Sequence, residues 1–305
     1  MRKALIVGID DYQQAPLHGC VNDAINIGSL LETNGDGSPN FAVHSLTSND
    51  TVVTSEILHG ATQELFSGDA ETALFFFAGH GIVNQETNAG YIVSQDGRKG
   101  AWGISLSELL ELANRAYPRI RSSVIILDSC QSGYAGEVAG LGSERPVAFI
   151  GNGVTILTAC HREGSANEES GQGIFTTLLI DGLRGSASDI CGRITPAAIY
   201  SHVDQTLGPW DQRPIYKANV QTFVVLRQVS PKIPLEVLRR IPEYFPDPTS
   251  VFKLDPSFEP DRGEETEKHK DIPVDDENYR RYRELQMCNR HGLVVPDSQP
   301  HTHLN

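Results

Sequence analysis

The chain has 305 residues and a formal net charge of -14, with 39% hydrophobic and 21% charged residues. This length and composition are ordinary for a globular protein that buries a sizeable core in one large domain or in one domain plus an appendage. The negative charge argues against a nucleic-acid binder, because a phosphate backbone requires a basic surface. It favours a basic partner or substrate.

The sequence also bears on the cellular compartment. It has no run long and apolar enough for a membrane span, and the apolar run at residues 4–9 is too short for a signal peptide. The chain has five cysteines, an odd number, and their positions (20, 130, 160, 191 and 288) lack the spacing of a metal site. Such a set argues against a disulfide framework or a zinc site. We therefore expect a cytoplasmic protein with no membrane insertion.

Strand and helix patterns alternate along residues 1–228. Short apolar runs predict buried strands, and apolar residues at helical spacing predict helices. The predicted strands are 3–9, 41–46, 72–77, 124–127, 154–157 and 223–226, with a hairpin beginning at 91–93. The predicted helices are 20–32, 51–66, 105–116, 173–183 and 195–207. This alternation predicts an α/β fold with a mainly parallel sheet of about six strands and helices on both faces.

The composition changes after residue 228. Prolines recur from residue 231 to residue 273, and a charged run covers 259–271. We interpret 229–273 as a Pro-rich C-terminal extension, either a linker or a wrap around the domain at 1–228. Helical spacing returns at 274–289, so we expect 274–305 to be a small segment, helical in part, that binds a partner.

Two of the predicted strands end abruptly in small residues around one reactive side chain. Residues 74–77 lead into a Gly-His-Gly tripeptide centred on His80, and residues 124–127 lead into an Asp-Ser-Cys tripeptide that ends at Cys130. Reactive groups in open parallel sheets gather beyond the carboxyl ends of the strands. Adjacent strands would therefore place a cysteine nucleophile next to its base.

Each of these residues has a chemical role in such a pair. His80 would take the thiol proton and later protonate the leaving amine, while the backbone N–H groups of Gly81 and Cys130 would bind the oxyanion. The alternative is that His80 is a polar loop residue and Cys130 a small buried hydrophobe. That alternative is reasonable for either residue alone and much less so for the pair.

Further short motifs accompany the His80 and Cys130 segments. They are Val7-Gly8-Ile9 with Tyr12, residues 17–24 (LHGCVNDA), residues 171–176 (GQGIFT) and Gln212-Arg213-Pro214. Taken in this order, the motifs resemble those of the caspase-like cysteine peptidases, closest to bacterial caspase-family proteins and metacaspases. The resemblance covers roughly residues 3 to 227 and implies a caspase-haemoglobinase-like fold and a cysteine endopeptidase.

The resemblance also implies a substrate preference. In metacaspases the aspartates that match Asp23 and Asp128 line the pocket for the residue before the scissile bond and select arginine or lysine. Carboxylates hold a guanidinium well through paired, charge-assisted hydrogen bonds. The alternatives are that Asp23 is a solvated residue near a helix start and that Asp128 only caps its strand. One departure from the family pattern is Ala78, where metacaspases often have serine.

Calcium is required by several metacaspases, and Asp96 matches one of their ligand positions. The acidic pair expected further on is missing, because residues 103–107 read GISLS. Calcium takes about six to eight oxygen ligands, which Asp96 and Glu137 cannot supply. We therefore expect no metal and no cofactor, and Asp96 is interpreted as a turn residue of the hairpin.

The prokaryotic relatives that the chain resembles often act in antiphage defence or cell death and cleave a partner such as a gasdermin-like pore former. The resemblance thus implies a protein substrate of this kind, with activation by a sensor that engages 274–305. Two alternatives stay open. One is a catalytically silent caspase-like scaffold in a signalling complex, and the other is a cysteine hydrolase of a non-peptide amide or ester.

Overall fold

The computed structural model describes residues 1–84, 86–87, 89–129, 150–159, 174–207, 213–261 and 267–297, together with the backbone of four two-residue strands between 137 and 173. Among the residues named above, the structure does not describe Cys130, the motif residue Gln212 or the side chain of Glu137. The chain divides into two compact units, Met1–Ser230 and Pro231–Asn305.

The strands are β1 (Arg2–Gly8), β2 (Ala42–Thr47), β3 (Ala70–Ala78), β4 (Gly81–Asn84), β5 (Ala89–Arg98), β6 (Ala101–Ser105), β7 (Ile120–Asp128), β8 (Glu137–Val138), β9 (Val147–Ala148), β10 (Val154–Thr158), β11 (Glu168–Glu169), β12 (Gln172–Gly173), β13 (Arg193–Ile194), β14 (Ile215–Asn219) and β15 (Arg227–Gln228). The α-helices are α1 (Cys20–Glu32), α2 (Ser55–Leu65), α3 (Leu106–Ala116), α4 (Ile174–Asp181), α5 (Pro196–Thr206), α6 (Leu235–Tyr244) and α7 (Asp276–Arg290).

A six-stranded sheet organises the described part of the first unit, with the strand order β14-β10-β7-β3-β1-β2. Neighbouring strands are parallel, except that β14 runs antiparallel to β10. A separate antiparallel sheet, β4-β5-β6, begins directly after β3. The mainly parallel α/β sheet predicted from the sequence is confirmed.

The phenylalanine run of β3 explains why the sheet is covered on both faces. Phe75, Phe76 and Phe77 are fully buried. Alternate side chains of a strand point to opposite faces, so a continuous apolar run requires cover on both. Phe75 and Phe77 belong to the cluster that includes α2 and α3, whereas Phe76 belongs to the cluster that includes α1, α4 and α5. The central strands therefore sit between two layers of helices.

The last predicted strand of the first unit is wrong. Sequence analysis predicted 223–226, but the sixth strand is β14, and Phe223 is 66% exposed. β14 is a half-exposed antiparallel edge strand that carries Tyr216 and Lys217. It lacks the continuous apolar signature because only strands buried on both faces need one.

The second unit contains a helix that sequence analysis does not predict. α6 lies within 229–273, which was interpreted as a linker or wrap, and it has Pro242 in its interior. An interior proline normally argues against a helix. Here α6 is tied to α7, because the Tyr244 hydroxyl donates to Glu284 at 2.9 Å and Arg240 Nε donates to the same carboxylate at 3.0 Å. This carboxylate is buried and pairs with the arginine, which limits the cost of its burial.

The helices bear on the expectation of no membrane insertion. Within the described ranges, every helix is too short or too polar to cross a bilayer.

Close packing of α1 on β1 depends on Gly8. A Cβ at this position would lie 2.4 Å from the carbonyl oxygen of Cys20 and 2.6 Å from the Cβ of Ala24. We therefore expect Gly8→Ala to lower the free energy of unfolding by about 1–3 kcal/mol, the usual cost of overpacking. The matched control is Gly60→Ala in α2, where a Cβ meets nothing within 4 Å. That change should raise stability by about 0.5–1 kcal/mol, because alanine is the better helix former.

Urea denaturation of both variants, followed by far-ultraviolet circular dichroism, measures the two effects. A Gly8→Ala protein as stable as the wild type would contradict the packing of α1 described above.

Candidate active site

Three neighbouring strands end at the same level of the sheet. Gly8 of β1 pairs with Ala78 of β3, and Ala78 pairs with Asp128 of β7. The Gly79 N–H donates to the Asp128 carbonyl at 3.3 Å, which extends the ladder past the last strand residue. His80 follows two residues after Ala78, and Cys130 follows two residues after Asp128. The register thus directs both motifs to one edge, and the distance between His80 and Cys130 stays a prediction because Cys130 lies outside the described residues.

The orientation of the His80 ring is set by a main-chain carbonyl. His80 Nε2 lies 2.7 Å from the carbonyl oxygen of Ala15. A carbonyl oxygen only accepts hydrogen bonds, so this contact requires the proton to be on Nε2. In the neutral ring Nδ1 is then the basic nitrogen. Nδ1 is therefore the ring nitrogen of His80 that can accept a proton.

The loop that presents Ala15 is organised by Asp10. The Asp10 carbonyl accepts hydrogen bonds from the N–H groups of Tyr12 at 3.0 Å and Leu17 at 2.8 Å. Its carboxylate accepts from the first two N–H groups of α1, those of Cys20 at 2.8 Å and Val21 at 3.2 Å. These donors have no partner within the helix, so the carboxylate takes the part of a helix cap. One aspartate thereby fixes both ends of the loop.

Sequence reasoning missed this support. A capping residue normally stands next to the helix that it caps, whereas Asp10 is ten residues before Cys20. Ala15 contributes only its main chain, which no residue type reveals. Tyr12 is part of the motifs used above, and its aromatic side chain was the available signal.

The two candidate pocket aspartates are both buried. Asp23 in α1 is 2% exposed and Asp128 is 7% exposed. Asp128 points to the face of Val124 and Ile126, and its Oδ2 accepts a hydrogen bond of 2.6 Å from the Thr176 hydroxyl in α4. α1 packs on the same face of the sheet. The interpretation of Asp23 as a solvated residue is therefore wrong, and both carboxylates lie on one side of the sheet.

The candidate oxyanion donor Gly81 is the first residue of β4. It pairs with Ile92 of β5, and the neighbouring His80 carbonyl accepts a hydrogen bond of 2.9 Å from Val93 N–H. The hairpin thus holds the main chain on the carboxyl side of His80. The role of the Gly81 and Cys130 N–H groups as oxyanion donors stays a prediction.

Asp96 lies inside β5, not in the hairpin turn where sequence analysis placed it. Its Oδ1 accepts hydrogen bonds from Ser55 N–H and from the Ser94 hydroxyl, both at 2.7 Å. Burial alone would raise the pKa of Asp96, but these hydrogen bonds outweigh it and hold the pKa below its usual value. The carboxylate is used to anchor the start of α2. Among the described residues, no group of three or more His, Cys, Asp or Glu side chains could hold a metal ion.

Comparisons with known proteins agree with this architecture. A family model described as a caspase domain matches residues 1–225, and no curated protein matches the chain. A structural-genomics structure of a protein from Geobacter sulfurreducens has a TM-score of 0.54 and 12% identity, covering 75% of this chain and 97% of that one. Caspase-1 from Spodoptera frugiperda has a TM-score of 0.53 and 15% identity, covering 74% and 90% respectively. At these identities the structures show the fold.

The match to the family model extends over most of the chain and includes every strand of the central sheet. The caspase-like fold predicted from the sequence motifs is confirmed by it. The chain belongs to the caspase domain family, a family of cysteine peptidases.

Proposed function

We propose that this protein is a cysteine endopeptidase that cleaves a protein substrate after arginine or lysine by means of Cys130 and His80. The observation that carries the proposal is the in-register pairing of β3 with β7, because Ala78 and Asp128, each two residues before a member of the proposed dyad, lie opposite each other at one sheet edge. The His80 contact with Ala15 supports it, because it leaves Nδ1 as the base.

The reaction would proceed by acyl transfer. His80 Nδ1 takes the proton of the Cys130 thiol, and the thiolate attacks the carbonyl carbon of the scissile bond. The negative charge that develops on the carbonyl oxygen is stabilised by the N–H groups of Gly81 and Cys130. As the C–N bond breaks, the imidazolium returns its proton to the leaving amine. A water molecule, deprotonated by His80, then hydrolyses the thioester and releases the thiol.

The substrate preference would come from Asp23 and Asp128. Carboxylates bind guanidinium and ammonium groups through charge-assisted hydrogen bonds. Two of them on one face of the sheet, beside the strand that leads to the proposed nucleophile, favour a cationic side chain as their ligand. Arginine or lysine before the scissile bond has this chemistry.

The biological setting is also part of the proposal. By resemblance to prokaryotic caspase-family proteins, we place the enzyme in antiphage defence or cell death in the cytoplasm, with a gasdermin-like pore former as substrate. A sensor that engages 274–305 would activate it. The net charge of -14 favours a basic substrate or sensor.

Removing either reactive side chain tests the dyad. We expect Cys130→Ala and His80→Ala each to lower kcat/KM on a cleavable peptide by at least about 10³-fold, because the two groups act as a unit. Cys191→Ala and His44→Ala are matched controls, since neither residue belongs to the site, and both should retain wild-type rates. Equal melting temperatures for all five proteins would show that the fold is intact.

Peptide-library profiling of the wild type decides between the proposal and its alternatives. Activity unchanged in either dyad variant would refute the assignment. A folded wild type that cleaves nothing, with and without candidate partners, would favour the silent scaffold, and turnover of esters or non-peptide amides alone would favour the other hydrolase.

A neutral isostere of arginine isolates the charge in the proposed pocket. The wild type should prefer an arginine substrate over the same peptide with citrulline. Asp23→Asn and Asp128→Asn should each reduce this ratio by roughly tenfold to a hundredfold, the worth of a hydrogen bond between charged groups. Asp36→Asn is the control, because Asp36 is exposed and its carboxylate accepts hydrogen bonds from the neighbouring Ser38. A preference for aspartate or leucine before the scissile bond would contradict the pocket.

A further inference from the structure

Tyr12 contacts His80 in two ways. Its hydroxyl accepts a hydrogen bond of 3.1 Å from the backbone N–H of His80 and donates one of 3.0 Å to the carbonyl of Val93. Its ring lies against the imidazole, with the ring centroids 4.6 Å apart and the planes tilted by 54°. One buried side chain thus joins His80 to strand β5 of the hairpin.

Gly79 makes room for this hydroxyl. A Cβ on Gly79 would lie 2.6 Å from the Tyr12 hydroxyl oxygen and 2.8 Å from Cζ of the Phe77 ring, and the residue has a φ of +159°. Any side chain at this position would displace the hydroxyl from the His80 N–H or move the main chain. The glycine before the histidine therefore leaves room for the Tyr12 hydroxyl and for the Phe77 ring.

The hydroxyl keeps its proton under working conditions. Burial raises the pKa of Tyr12 above the usual value for tyrosine. A neutral hydroxyl can donate and accept at once, which the two contacts require. The arrangement is therefore stable over the pH range in which a histidine titrates.

Tyr12 and Ala15 also lie on the same turn. The Asp10 carbonyl accepts from the N–H groups of Tyr12 and Leu17, which encloses Ala15 between two fixed points. The imidazole of His80 is consequently held at Nε2 by the Ala15 carbonyl and on one side by the Tyr12 ring. The backbone N–H of His80 donates to the Tyr12 hydroxyl. All three restraints come from the loop after β1.

We infer that Tyr12 is a positioning residue for His80: its hydroxyl and ring hold the imidazole in the orientation in which Ala15 binds Nε2 and Nδ1 serves as the base. This inference rests on the proposed function, in which His80 is the base. Tyr12 acts through His80, because it contacts the backbone N–H and the ring of that residue. If its role were only to fill the core, its loss would change stability and leave the chemistry of His80 as it was.

Tyr12→Phe removes the hydroxyl and keeps the ring. We expect kcat to fall by about tenfold to a hundredfold, the effect of a small misplacement of a catalytic group, with KM changed by less than about threefold. Tyr244→Phe is the matched control, because Tyr244 is equally buried and also loses a bonded hydroxyl. It should leave both constants unchanged.

Alkylation of Cys130 by iodoacetamide provides a readout that needs no substrate. The rate is measured from pH 5 to 9 by mass spectrometry of the Cys130 peptide, for the wild type, Tyr12→Phe, Tyr244→Phe and His80→Ala. If His80 activates the thiol, the wild type reacts at lower pH than His80→Ala, because the imidazolium stabilises the thiolate. We expect the Tyr12→Phe profile to lie between the two and the Tyr244→Phe profile to match the wild type.

The outcomes separate the two ideas. Identical profiles for the wild type and His80→Ala would overturn the proposed dyad, and with it the role of Tyr12. A Tyr12→Phe profile equal to that of the wild type, while His80→Ala differs, would overturn the role of Tyr12 alone. A lower melting temperature of Tyr12→Phe with unchanged kcat would do the same, since it would reveal a purely structural residue.

Discussion

The parallel pairing of β3 with β7 is the constraint on which the rest of the structure depends. Side chains of a strand alternate between faces, so a slip of one residue would turn every side chain of that strand to the opposite face of the sheet. The fully buried phenylalanines of β3 prevent such a slip, because each fits a helix layer on one face only. Core packing thereby fixes Ala78 opposite Asp128, and this register fixes which loop residues emerge at the sheet edge.

Much of this could be predicted from the sequence because it follows from local patterns. The predicted helix at 20–32 is α1 at Cys20–Glu32, and the apolar runs predicted β1, β3 and β10 to within one or two residues at their ends. They also located β7, which begins at Ile120 and not at Val124 as predicted. The edge strand β14 and the helix α6 could not be predicted in this way. One is half-exposed and lacks an apolar run, and the other carries an interior proline whose cost tertiary contacts offset.

The candidate site likewise has parts that the sequence predicts and parts that it does not. Residue type and local motifs were enough to predict His80, Asp23 and Asp128 as site residues. Their surroundings could not be predicted in this way, because the contacts with Ala15 and Asp10 come from main-chain atoms or from residues distant in sequence. A backbone carbonyl that fixes a histidine tautomer has no signature in the amino-acid sequence. The spatial arrangement was therefore needed to assign Nδ1 as the basic nitrogen.

The three strands that end at one level also explain how a site can be assembled from distant segments. β1 supplies the loop with Tyr12 and Ala15, β3 supplies His80, and β7 leads to Cys130. Each segment is attached to a rigid strand, so the entropy of ordering the site is largely met by folding of the core. A site of this kind tolerates changes in its helices more readily than changes in register. The packing of the buried sheet is for that reason as much a part of the site as the side chains at its edge.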